Sequence, residues 1–325
     1  GDLVSYGRLQ LRRVTNPGGT PSISGNITLT TATTSAPGDQ AAKGSSRPLD
    51  AVDERPMAAM IKKNDLTGGS SLWTAQSISV NASGVAVNAS TTGARNGVRW
   101  YQIDNYQTTP TVTQSGTLFD SAASSPVGYW MGTVAANGQG HMALVATAAN
   151  AGTYASMAVA GRLSGDTLGT TRAATVAING NGAYNDWNTG ASTQRWGDYS
   201  KVVVDPTDDQ TLWAFSDYAY STSASDAWAV GVARLLAPPP ATPASVSPAS
   251  VVAGVASTNI TVTGTASSGS AFFDPGSGFA NRLAAAVSGG VTVNSVTFNS
   301  ATSVTLNVST CLLYTSPSPR DQRGS

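Results

Sequence analysis

The sequence predicts an all-β fold, and three observations predict it. Its apolar segments are short, rich in Val, Thr, Ile, Tyr and Trp, and bounded by Gly, Asn, Asp or Pro. Helix signals are nearly absent. Similar strands recur at a spacing of about 60 to 70 residues, the span of a four-stranded repeat.

Taken in order, strands are expected at GRLQLRRV (Gly7 to Val14), SISGNITLT (Ser22 to Thr30), MAAMIKK (Met57 to Lys63), LWTAQSISV (Leu72 to Val80), GVRWYQID (Gly97 to Asp104) and TVTQSGTLF (Thr111 to Phe119). The pattern continues with YWMGTVAA (Tyr129 to Ala136), HMALVATA (His141 to Ala148), YASMAVAGR (Tyr154 to Arg162), AATVAI (Ala173 to Ile178), KVVVDP (Lys201 to Pro206), TLWAFSDY (Thr211 to Tyr218) and AWAVGVARL (Ala227 to Leu235). LWTAQSISV, HMALVATA and TLWAFSDY hold matching places, as do RWYQID, YASMAVAGR and AWAVGVARL. Four strands per period imply the blades of a partial β-propeller over residues 1–236, with small-residue strands such as MAAM converging near the axis. Only two strands precede Asp50 and only three follow Arg195, so the N-terminal piece is expected to complete the last blade as a clasp. Strand spacing alone leaves a β-sandwich open as the rival architecture.

APPPATP (237–243) imposes an extended polyproline linker in which strand pairing is not expected. Beyond it, SVSPASVVAG, TNITVTGT, VTVNSVTF and TSVTLNVS are short alternating strands of an Ig-like sandwich over residues 244–310. About 70 residues are fewer than the roughly 100 of such a sandwich, so it is expected to be truncated by one or two strands. CLLYTSPSPRDQRGS (311–325) breaks the pattern and resembles the adaptor read-through that ends many metagenomic reading frames. Removal of this tail is expected to leave folding unchanged; a natural Ser/Pro-rich tail is the alternative.

Composition narrows function. Charged residues make up 11% of the 325, and Lys plus Arg and Asp plus Glu number 18 each, so no net field favours nucleic acid or an anionic membrane. One cysteine, Cys311, and one histidine, His141, preclude an intramolecular disulfide, a Cys-based zinc site and the usual His-containing triads. No stretch reaches the roughly 20 apolar residues of a membrane-spanning helix. Gly1 begins inside patterned sequence, so the first domain is expected to be N-terminally incomplete.

RWGDYSKVVVDPTDDQTLWAFSDY, Arg195 to Tyr218, resembles the RWGDYS-x-x-x-VDP-x-DD-x-x-x-W segment of secreted bacterial propeller proteins of the sialidase-like superfamily. GTLFD (Gly116 to Asp120), Tyr129-Trp130, GQGHMAL (Gly138 to Leu144) and AGRLSGDTLGT (Ala160 to Thr170) are similar to that family in the same order. SVSPASVVAG with ITVTGT and SGGVTVNSVTF resembles the IPT/TIG type of Ig-like domain. The resemblance implies an extracellular, secreted or cell-surface protein and speaks to fold more than to activity.

A sialidase-type glycosidase needs an Arg cluster, a Tyr nucleophile served by a Glu, and an Asp acid/base. The chain has one glutamate, Glu54, in the turn-like LDAVDERP, and the Asp-box is interrupted, with Ser164, Asp166, Gly169 and Thr170 coming nearest. An acid/base pair would have to come from Asp120, Asp186, Asp198 and Glu54. Arg195, Asp198 and Tyr199, beside Trp196, offer a charge fork and a stacking plane for a sugar or peptide, or else a structural ion pair over a core tryptophan. Asp205, Asp208 and Asp209 present carboxylates for a structural calcium ion, or an ordinary Asp-capped turn. Periodic Trp73, Trp100, Trp130, Trp213 and Trp228 read as core, whereas Trp187, beside Asn185 and Asp186 in AYNDWNTG, has the context of an exposed stacking platform. The expected function is therefore non-catalytic recognition of a glycan, a surface polymer or a protein, without a required cofactor; the alternative is a divergent sialidase-like glycoside hydrolase.

Overall fold

The computed structural model describes residues 6–186, 192–222 and 226–311, and every regular element among them is a β-strand. The chain divides into two compact units, residues 1–237 and 238–325, so the divide falls within the proline run.

The first unit begins with β1 (Tyr6–Leu11), β2 (Val14–Thr15), β3 (Ser22–Ile23) and β4 (Ile27–Thr34), which pair β1 with β4 and β2 with β3. Three antiparallel meanders follow. The first is β5 (Ala58–Lys63), β6 (Ser70–Val80), β7 (Arg95–Asp104) and β8 (Thr111–Leu118). The second is β9 (Gly128–Ala136), β10 (Met142–Asn150), β11 (Thr153–Arg162) and β12 (Thr175–Ile178). The third holds β13 (Lys201–Val204), β14 (Leu212–Ala219) and β15 (Trp228–Leu235). The strands that the repeat placed in register, β6, β10 and β14, are each the second of their sheet, and β7, β11 and β15 are each the third.

The meanders stack because successive side chains leave a strand on opposite faces. On the second sheet Val134, Ala136, Met142, Leu144 and Ala146 face the first, where they meet Trp73, Val98, Trp100 and Leu118. Their neighbours Ala135, Ala143 and Val145 face the third and meet Val202, Leu212 and Ala214. Gly132 allows close approach, since a Cβ there would overlap the Val98 side chain.

Among the described residues, the N-terminal segment does not complete the third sheet, contrary to the clasp expected from strand counting. Leu9 and Leu29, on β1 and β4, bury against Tyr101 and Ile103 on the far face of the first sheet, so this ribbon caps the opposite end of the stack. The segment touches the 190s through an isolated parallel bridge between Leu49 and Gln194.

Among the described residues, the strands of the second unit form one sheet. It contains β16 (Thr242–Ser247), β17 (Thr258–Thr265), β18 (Val291–Ser300) and β19 (Ser303–Thr310), in the order β16-β17-β19-β18. Residues 266–290, which form no strand, supply Phe272 and Leu283 to the apolar cluster with Val262, Val304, Leu306 and Val308. β16 also enters the proline run: Pro243 pairs with Gly264, which the edge position and a register shift before Ser245 allow.

Candidate functional site

Of the residues singled out by sequence, Arg195, Asp198 and Tyr199 share one surface, built where the 49–55 segment meets the 194–200 loop. The Asp50 N–H donates to the Gln194 carbonyl (2.8 Å). Arg195 Nη1 donates to Asp50 Oδ2 (2.8 Å) and its Nη2 to both oxygens of Asp198 (2.7 Å). Trp196 is buried, donating from Nε1 to Thr147 Oγ1 (3.2 Å) with its ring edge-on to Tyr184 at 5.0 Å. The geometry is that of an exposed ion-pair bridge over a core tryptophan, and such bridges contribute little stability by themselves. Tyr199, 71% exposed, is the part of the motif left open to a ligand.

A carboxylate that sequence reading passed over joins this loop. Asp217, on β14, lies so close under Gly197 that a Cβ there would overlap its carboxyl. Burial, and then the charge of Asp198, push the Asp217 carboxyl up from its ordinary value. As one residue of an alternating strand it carried no sequence signal; only strand pairing sets it beneath the loop. Glu54 is half-buried, and one of its oxygens is buried without a partner among the described residues. Asp53 beside it bonds Arg55 (2.7 Å).

Other predicted residues serve their own loops. Asn185 Oδ1 accepts from Ser46 N (2.7 Å) and Ser46 Oγ (2.8 Å), and its amide donates to the Gly44 carbonyl (3.1 Å), tying two loops together. The Asp186 N–H donates to Gln194 Oε1 (2.6 Å). Trp187 lies outside the described residues. Asp120 accepts from Ala122 N (2.9 Å) and Val127 N (2.8 Å) as a loop cap.

The Asp205, Asp208 and Asp209 side chains point to separate partners. Asp205 accepts from Thr207 N (2.9 Å) and Trp213 Nε1 (2.9 Å), and these hydrogen bonds, with that from Thr207 Oγ1, lower its carboxyl to about 2. Asp208 accepts from Gln210 N and Thr211 N, both at 2.9 Å. Asp209 is ion-paired with Lys62, while burial pushes its carboxyl up. Each is thus committed within or beside the turn, and among the described residues no three His, Cys, Asp or Glu side chains gather to hold a metal ion. Trp213 is half-buried rather than a core residue, with Arg234 over its ring at 5.8 Å, and Trp228 is 57% exposed: both lie on the face of the last sheet turned away from the second sheet.

A second site was not legible in sequence. Between the first and second sheets, where β6, β7, β8 and β11 end or begin, lies a cleft of about 200 Å³ lined by Lys62, Trp73, Gln102, Gln114, Asn137 and Arg162. Its amides are held in place: Gln114 Nε2 donates to Gln102 Oε1 (2.6 Å), Gln102 Nε2 to Ser71 Oγ (2.9 Å), and Asn137 Nδ2 to the Gln210 carbonyl (2.9 Å). Trp73 stacks on Trp100 at 6.2 Å. These residues are scattered over 100 positions and come together only through sheet packing.

Fold and site define an all-β protein of stacked antiparallel meanders with a polar cleft at a sheet seam. Comparison with protein-family models, with curated proteins and with solved structures found no match in any of the three.

Proposed function

We propose that residues 1–236 are a partial sialidase-like β-propeller, that the second unit is a truncated IPT/TIG-type Ig-like module, and that the protein is a secreted or cell-surface, non-catalytic binder of glycans or surface polymers. The seam cleft carries this reading. Fixed amides match the hydroxyls a sugar presents and lose little entropy on binding, in a cleft that the buried Trp73 also lines. Exposed Tyr199, on the separate 194–200 loop, offers a further contact for a polymer. A glycan array probed with the whole chain tests the reading: retention of defined glycans, reduced at least fivefold by Gln114→Ala in a variant that still melts cooperatively, is expected. An array without any retained glycan would overturn it.

One observation favours the second reading, a divergent glycoside hydrolase: Asp217, held up in pKa beside Asp198, has the environment of a proton donor next to a carboxylate. Under that reading aryl-glycosides are hydrolysed and Asp217→Asn abolishes turnover. Under the binding reading neither protein turns over substrate and glycan retention is unchanged.

A further inference from the structure

We infer that the seam cleft is an anion-recognising subsite that takes one carboxylate-bearing sugar ring, a uronic acid unit, with Arg162 as its anchor. The inference rests on the glycan-binding reading and adds the chemical class of the ligand.

Arg162 ends β11 and is 3% exposed, yet no carboxylate pairs with it among the described residues. Its Nη2 donates to the Asp166 carbonyl (2.7 Å), while its Nε is buried without a partner. The Asp166 carboxylate is engaged elsewhere, by Arg172 Nε and Nη2, each at 3.1 Å, and by Leu163 N (2.8 Å). What supports the guanidinium is the Trp100 ring, 5.9 Å from it. A buried cation held by one carbonyl and one aromatic face is costly, and burial lowers the Arg162 pKa accordingly. The other cation on the cleft wall, Lys62, is already neutralised by Asp209, so Arg162 is the lining cation that lacks an acidic partner.

A ligand carboxylate fits that deficit, because it offers two acceptors to the planar guanidinium fork. The remaining walls set the rest of the ligand. Leu168, 65% exposed, supplies apolar surface, and Gln102 and Gln114 sit in a hydrogen-bonded chain from Ser71 to the Gly169 N–H (3.0 Å to Gln114 Oε1), which fixes which amide edge meets a hydroxyl. The volume of about 200 Å³ is below the roughly 300–1,000 Å³ of sites for larger ligands, so one ring is held rather than an oligosaccharide.

The test is an NMR titration of the whole chain with glucuronate, glucose, acetate and sulfate at fixed ionic strength, following the Trp73 indole N–H. Glucuronate is expected to shift that resonance and to bind at least tenfold more tightly than glucose, acetate or sulfate. Arg162→Gln is expected to lose at least tenfold in glucuronate affinity while changing glucose binding less than twofold. Equal affinities for glucuronate and glucose would overturn the inference while leaving the glycan reading intact, provided the array retains neutral glycans. Sulfate or acetate binding as tightly as glucuronate would overturn it in favour of a simple anion pocket. Should Arg162→Gln not fold, the wild-type comparison decides: glucuronate preference with a shifted Trp73 resonance upholds the subsite, and preference without that shift places the acid elsewhere and overturns it.

Discussion

β10 and β14 hold the same place, the second strand of their sheets, and both are short, apolar and Ala-containing. β10 is buried along its length except at its last residue, whereas β14 alternates between buried and half-buried positions. The cause is position in the stack. The sheet of β10 has a neighbour on each face, while that of β14 packs on the second sheet with one face and leaves Val203, Trp228, Val230 and Val232 open on the other. Burial is therefore decided between sheets, and equivalent strands diverge in what a substitution costs.

The largest expected effect sharpens that contrast. Trp100, fully buried in the first seam, should cost about 3–5 kcal/mol when truncated to alanine, whereas Trp228→Ala, on the open face, should cost less than about 1 kcal/mol. Denaturant unfolding of both variants checks this, and equal losses would break the comparison. A smaller difference is expected between two glycines. A Cβ at Gly116 would overlap the Gly169 carbonyl, which is backbone and has no rotamer to change, so Gly116→Ala should cost about 1–3 kcal/mol. A Cβ at Gly231 would meet the ends of Ile178 (2.7 Å) and Met157 (2.8 Å), which can swing aside, so Gly231→Ala should cost less.

Two pH effects follow on the third sheet. Asp217 has a raised native carboxyl, so the folded state binds that proton more tightly than the unfolded chain and wild-type stability gains as pH falls through the raised value. Asp217→Asn should therefore raise the melting temperature at pH 7, with the gain shrinking in acid; a variant less stable than wild type at pH 7 would contradict the assignment. Asp205 has the opposite sign. Its contribution is fully present above the ordinary value of 3.8 and is lost as pH falls toward about 2. Melts of Asp205→Asn and wild type should thus differ at pH 6 and converge by pH 2, an effect kept small by the exposure of the carboxyl.

By itself the sequence determined the all-β class and the position of nearly every strand. These are local matters: β-branched and aromatic runs between Gly, Asn, Asp and Pro set strand limits whatever the surroundings. The turn roles of Asp205 and Asp208 were legible for the same reason, since an Asp caps N–H groups two or three residues ahead of it. Tertiary structure decided the rest. Leu9 and Leu29 bury on the first sheet instead of closing the third, because Tyr101 and Ile103 present an apolar face there. Trp213 leaves the core because its strand faces outward at that register, while Trp196 enters the core from a loop that reads as polar. Asp217 meets Asp198 only through the pairing of β14 with β13, and Arg162 meets Trp100, with no carboxylate to balance it among the described residues, only through the stacking of two sheets. Propensity acts over a few residues, whereas desolvation and charge pairing act over a few ångströms, and only the folded chain relates the two distances.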